Sequence, residues 1–268
     1  MRRPIIAGNW KMNKTAAEAR VLIQQIAPAA ATRPDVDVVV CPPFTALHAA
    51  AYPDVARAAV QLGAQDMFWK DTGAYTGEVA PGMLLKLGCR YVIIGHSERR
   101  GRFGVLEPDF TPEVLSVFGE TDATVQLKTH AAFRHGLTPI VCCGETLGER
   151  RAGRTDAVVT QQLEHGLEGV SADQARNLVI AYEPVWAIGT GEVCDPEEAN
   201  RVCGVIRGAL GRQFGDVAAS IRIQYGGSVK ATNAAAILSR EEIDGALVGG
   251  ASLVAEEFNQ IVAAAPRR

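Results

Sequence analysis

Aromatic residues are scarce in this chain, at 6% of 268 positions, so Ala, Val, Ile and Leu must fill most of its interior. Long apolar runs are missing: none approaches the roughly 20 residues that a membrane-spanning helix requires. There is little excess of either charge. The formal net charge of −3 supplies no general pull toward nucleic acid or an anionic membrane. The six cysteines (Cys41, Cys89, Cys142, Cys143, Cys194 and Cys203) form no CxxC pair and have no histidine at zinc-finger spacing. At this chain length they read as reduced thiols, not as a disulfide scaffold. Residues 1–9 are basic but lack a signal-peptide apolar stretch, so a cytoplasmic location is expected. GxGxxG and P-loop fingerprints are absent, as is any metal-site spacing of His, Asp and Glu; no nucleotide cofactor and no metal is expected.

What is present is repetition. Eight short, nearly continuous apolar runs recur at 5–7, 36–41, 60–64, 91–94, 138–143, 178–182, 221–224 and 245–248. Strands covered on both faces read this way. Helical patterns lie between them. Ala16, Ala19, Leu22, Ile23 and Ile26 fall at helical spacing, 156–167 reads similarly, and Asp195-Pro196 opens a helix over 196–210 as N-cap and N1. Strand–helix alternation implies right-handed βαβ units and a parallel sheet. Eight units predict an α/β fold, a closed (β/α)8 barrel, with an open doubly wound sheet as the alternative. No linker divides the chain, so residues 1–268 are expected to form a single domain. One interval is too long. About 45 residues separate the fourth and fifth runs, more than one helix needs. The excess lies near 101–117, where Thr111-Pro112-Glu113 looks like a helix start.

Polar residues and glycines cluster just after the runs: Asn9 and Lys11, His96 and Ser97, Glu183, Gly226-Gly227-Ser228, and Gly249-Gly250. In a parallel barrel these strand ends share one mouth. The last two clusters suit a phosphate, with backbone N–H groups bared by glycine and a short helix opening at 251–253; tight turns are the plainer reading. Glu183 after an apolar strand is either salt-bridged or catalytic. Residues 184–191 (Pro184, Val185, Trp186, Ala187, Ile188, Gly189, Thr190, Gly191) read as a lid that excludes water, or as a buried connection. His96 precedes 97–100, which reads as a helix start whose positive potential would keep the ring neutral. Lys11 fits an electrostatic clamp, a Schiff-base amine or a surface charge. Glu149-Arg150-Arg151 with Arg154 reads as a solvated helix face.

Five blocks carry a family resemblance. Gly8-Asn9-Trp10-Lys11-Met12-Asn13, Gly95-His96-Ser97-Glu98-Arg99-Arg100, 181–191, Tyr225-Gly226-Gly227-Ser228-Val229 and 247–253 follow one another as in the triosephosphate isomerases. The chain resembles that family from residue 5 to about residue 260. The resemblance implies interconversion of dihydroxyacetone phosphate and D-glyceraldehyde 3-phosphate through an enediolate, in glycolysis and gluconeogenesis, without a cofactor. It implies Glu183 as base, His96 as proton shuttle, and Lys11 and Asn9 beside the substrate oxygens. It assigns the phosphate to Gly189, Ser228, Gly249 and Gly250, and a supporting carboxylate to Glu98. It also implies a homodimer in which the loop 65–81, with Thr76 at its tip, reaches into the neighbour.

The sequence departs from the family pattern in places. Asp66 stands where Asn is usual, adding a negative charge, and Cys143 replaces an aliphatic residue beside the matching Cys142. Phe103-Gly104 and Phe118-Gly119 both match the family's Phe-Gly; taking the second leaves about 15 extra residues, at 105–119. The expectation is a surface excursion with a short helix over 112–117 that leaves catalysis intact, with packing on a neighbouring subunit as the lesser reading. Two other functions remain: a Schiff-base aldolase-type lyase on Lys11, and a non-catalytic sugar-phosphate binder.

Overall fold

The computed structural model describes residues 2–51 and 59–267. Its strands are β1 (Ile5–Asn9), β2 (Asp37–Cys41), β3 (Gln61–Ala64), β4 (Cys89–Ile94), β5 (Thr138–Cys143), β6 (Val179–Tyr182), β7 (Arg222–Tyr225) and β8 (Gly245–Val248). They form one closed parallel barrel in chain order. Ile5 stands opposite Asp37 of β2 and also opposite Gly245 of β8, and this double pairing excludes the open sheet.

The strands coincide with the apolar runs because they separate two cores. Ile5, Ala7, Val39, Ile93, Ile140, Val179 and Leu247 meet inside the barrel. Their neighbours Ile6, Val38, Val40, Val92, Val141 and Ile180 pack outward on the helices. Both alternate positions are therefore mostly apolar, and each fully buried Val or Ile contributes roughly 1.5–3 kcal/mol. The exception Gln224 is buried with its amide donating to Ile5 O and Ala246 O.

Helix Ala16–Ala31 starts at Thr15, whose hydroxyl and Glu18 form a reciprocal capping box. Asp195 caps helix Pro196–Phe214, with Pro196 in its first turn. Arg33 ties the first helix of the ring to the last. Its guanidinium donates to the carbonyls of Val262, Ala263 and Ala265 at 3.1, 2.9 and 2.9 Å, and is held by Asp35.

The region after β4 differs from expectation. Residues 97–100 form a tight turn, not a helix: Arg99 and Arg100 donate back to His96 O at 2.8 and 3.1 Å. Gly101, at φ +67°, then turns the chain away. The extra segment closes on itself where Glu120 N donates to Arg99 O at 3.2 Å. It carries the expected short helix, Pro112–Leu115 capped by Thr111, extended by a 3-10 turn over Ser116–Phe118. It also has a small core of its own. The rings of Phe103, Phe110 and Phe118 pack with centroids 4.8, 5.3 and 5.7 Å apart. Such pairs contribute about 0.5–1.5 kcal/mol each beyond their area.

Asp66 adds no net charge to the loop that follows β3. Its oxygens lie 2.6 Å from Lys128 Nζ and 3.0 Å from Arg99 Nε, and Lys128 is shared with Glu120 at 2.7 Å.

Candidate active site

The polar strand ends converge as expected. A cavity of about 800 Å³ at that end of the barrel is lined by Asn9, Lys11, His96, Gly189, Ser228 and Gly249, among others. Asn9, at the end of β1, accepts the N–H of Lys11 on Oδ1 at 3.2 Å. Lys11 sits at φ +52°, a conformation that costs a non-glycine residue on the order of 1–3 kcal/mol. Gln65 holds it there, donating from Nε2 to Lys11 O at 2.8 Å and to Cys41 O at 2.9 Å. The Lys11 ammonium is paired with the Glu98 carboxylate.

Glu183 follows β6 and is 1% exposed. It is buried beside His96 and Ser97, both of which line the cavity. Oε2 accepts the Ser97 N–H at 2.9 Å. Oε1 lies 2.8 Å from His96 Nε2, yet is out of line for a regular hydrogen bond. Burial pushes the carboxyl pKa up, but His96, the Ser97 N–H and Lys11 together hold it below the ordinary glutamate value. Gly226 leaves room for this carboxylate: a Cβ there would stand 3.0 Å from Glu183 Cγ and 3.1 Å from Tyr182 O.

The neutral histidine expected from helix potential needs restating. Burial lowers the His96 pKa, while Glu183 and then Glu98 raise it, and the net direction in this resting arrangement is upward. One backbone group opposes a second ring proton: the Glu98 N–H donates to His96 Nδ1 at 3.2 Å. That bond leaves the single proton of a neutral ring on Nε2, the nitrogen that faces Glu183.

The opposite side of the cavity is the glycine-rich end. Gly226, Gly227 and Ser228 follow β7, and Gly249 precedes a 3-10 turn at Gly250–Leu253. Ser252 fastens that turn through N and Oγ to Gly249 O at 2.8 and 2.7 Å. Gly189 lines the same space, so glycines from two strand ends and from 184–191 meet at this end of the cavity.

Three features of the site escaped the sequence reading. Glu145, fully buried after β5, accepts Trp186 Nε1 at 2.8 Å and the Tyr182 hydroxyl at 3.1 Å. Burial pushes its pKa up. It is a carboxylate directly after an apolar strand, the same signal that singled out Glu183. Arg151 and Arg154 lie on the solvated face as expected, but Arg150 is partly buried: it lies 4.4 Å over the Trp186 ring and pairs with Glu198 at 2.9 Å, so it holds Trp186 in place. Finally, Phe103 and Gly104, which lead into the extra segment, line the cavity together with its first residue, Val105.

No helix among the described residues is long and apolar enough to cross a membrane. A family model described as triosephosphate isomerase matches residues 4–265. A triosephosphate isomerase of Moorella thermoacetica is 55% identical, the match covering 98% of each chain. One of Symbiobacterium thermophilum is 52% identical over 99% of this chain and 98% of its own. The crystal structure of triosephosphate isomerase from Bartonella henselae superposes with a TM-score of 0.81 at 38% identity, covering 98% of both chains. A whole-chain match of this kind, on a closed barrel whose strand ends gather an acid, an imidazole, an ammonium and several glycines, means that the chain belongs to the triosephosphate isomerase family.

Proposed function

We propose that the chain interconverts dihydroxyacetone phosphate and D-glyceraldehyde 3-phosphate, with Glu183 as the proton-transfer base. The observation that carries this is the pairing of Glu183 with His96 at the edge of a cavity whose opposite end is glycine-rich. The phosphate sits on the N–H groups of Gly189, Ser228, Gly249 and Gly250. The Glu183 carboxylate, ionised at neutral pH, leaves the Ser97 N–H and takes a proton from the carbon beside the carbonyl. The electron pair moves onto the carbonyl oxygen, giving an enediolate. His96 donates from Nε2 to that oxygen and recovers a proton from the neighbouring one. Lys11 and Asn9 stabilise the developing negative charge. Glu183 then returns its proton to the adjacent carbon. The lid 184–191 shields the enediolate from water and from loss of phosphate.

A coupled assay on glyceraldehyde 3-phosphate tests this reading. Wild type turns over, and Glu183→Gln falls by roughly 10²–10⁴-fold. Equal activity in the two would sink the mechanism. Against a Schiff-base lyase stands the Lys11–Glu98 ion pair, which engages the Nζ that would have to attack the carbonyl. Borohydride trapping with substrate is expected to leave Lys11 unmodified.

We also read residues 1–268 as one barrel domain, cytoplasmic and homodimeric. Six buried thiols suit a reducing compartment. A second hollow, of about 290 Å³, lies between Lys11, Gln65, Glu78 and Glu98, next to exposed Met12 and Phe44. It suits the exposed Thr76 loop of another copy. Sedimentation at micromolar concentration is expected to give twice the chain mass.

A further inference from the structure

The extra segment 105–119, with the residues 102–104 that lead into it, makes two kinds of contact that an inert excursion would not. Gly104 lies directly against the lid backbone. A Cβ built there would stand 2.3 Å from Ile188 O, 2.7 Å from Val185 O and 2.8 Å from Thr190 Cγ2. The segment is also tied to the machinery at its root. Arg102 N donates to Ser97 O at 2.9 Å, and the Ser97 N–H holds the Glu183 carboxylate. The Arg102 guanidinium pairs with Glu149, one residue before the Arg150 that covers the lid tryptophan. The aromatic triad and the Glu120–Arg99 closure make the segment a folded block, able to bear against a neighbour.

We propose that this segment is the resting seat of the lid, with Gly104 as a positioning residue that sets the balance between seated and closed lid. The inference rests on the isomerase reading above. The lid leans on Gly104 through two carbonyl groups, and only a residue without Cβ permits that approach. In this position Glu183 is parked on Ser97, so the seated lid belongs to the substrate-free enzyme. Closure over substrate must break the Gly104 contact. The seat therefore lowers the population of the closed form before substrate binds, and weakens apparent affinity accordingly. Phe103 and Val105 form the adjoining wall of the cavity, so the same block borders the route by which substrate enters.

Two variants test this. Gly104→Ala places a methyl where the lid carbonyls sit. Deleting 105–119 restores Phe-Gly-Glu-Thr, and because Glu120 is held at Arg99 it draws Gly104 off the lid. For both, KM is expected to fall at least threefold, with kcat falling as release slows. The ¹⁹F resonance of 5-fluorotryptophan at 186, assigned with Trp186→Phe, should shift in the substrate-free variants toward its position in wild type saturated with an inert phosphate analogue. If either correctly folded variant keeps wild-type KM, kcat and resonance position, the seat does not exist. A loss of stability with KM and resonance unchanged would overturn the proposal equally. Wild-type turnover is the separate control: its absence would defeat the isomerase reading, whereas unchanged variants beside an active wild type defeat only the seat.

Discussion

The Ser97 N–H holds Oε2 of Glu183 at 2.9 Å, one residue along from His96. His96, this contact and the Lys11 charge hold the carboxyl below the ordinary glutamate value despite burial. In return, Glu183 raises His96. Replacing Glu183 with Gln removes that negative charge, so the His96 pKa should drop. An NMR titration of ring ¹⁵N shifts in both proteins measures it. An unchanged or higher His96 pKa in Glu183→Gln would show that the pair is not coupled.

Trp186 should act as the lid's anchor. Its Nε1 is the donor to a carboxylate oxygen of Glu145 that water does not reach. Trp186→Phe removes that donor and leaves the oxygen only the Tyr182 hydroxyl at 3.2 Å; losing one hydrogen bond to a charged group costs about 1.5–3 kcal/mol. The lid then loses its hold on the β5 end of the barrel. KM and kcat are expected to change together, and proteolysis within 184–191 should quicken. Wild-type kinetics in this variant would rule out an anchoring role.

Arg33 should matter for folding and not for catalysis. Arg33→Ala removes three bonds to carbonyls near the C-terminus and is expected to cost about 3 kcal/mol, with kcat unchanged. Its hydrogen bonds hold the Asp35 carboxyl at about 2, against an ordinary 3.8. A depressed carboxyl pKa adds stability that is complete above the ordinary value and is lost as pH falls toward the folded one. The stability gap between wild type and Asp35→Asn should therefore be constant above pH 3.8 and vanish near pH 2. Denaturant melts across that window provide the check.

The thiols should be silent in the native protein. All six are buried, and burial pushes Cys89 and Cys194 up to about 12 and Cys142 well above its ordinary value. Iodoacetamide at neutral pH is expected to label none of them until the chain unfolds. Rapid labelling of Cys142 or Cys143 in active enzyme would contradict this.

Much of the barrel was legible because each strand is buried twice. Two-sided burial leaves continuous runs such as 91–94 and 178–182, and eight of them bound the architecture. Glu183, His96 and Lys11 were legible for a related reason: polar residues directly after buried strands can only stand at a barrel mouth. Closure was expected from the count of eight runs, but the pairing that makes it, Ile5 with Gly245 240 positions away, was not legible. Neither were charges that matter only through their partners. Arg150 reads as one more cation on an exposed helix until it is placed over Trp186, and Asp66 reads as an added charge until Lys128 and Arg99 meet it. The sequence by itself determined which residues could do the chemistry and that the strands would be parallel, because local pattern and burial dictate both. Tertiary structure alone decided that Glu183 rests on Ser97, and that Gly104, just before an apparently superfluous segment, lies against residues 185–190, because both are contacts between loops far apart in the chain.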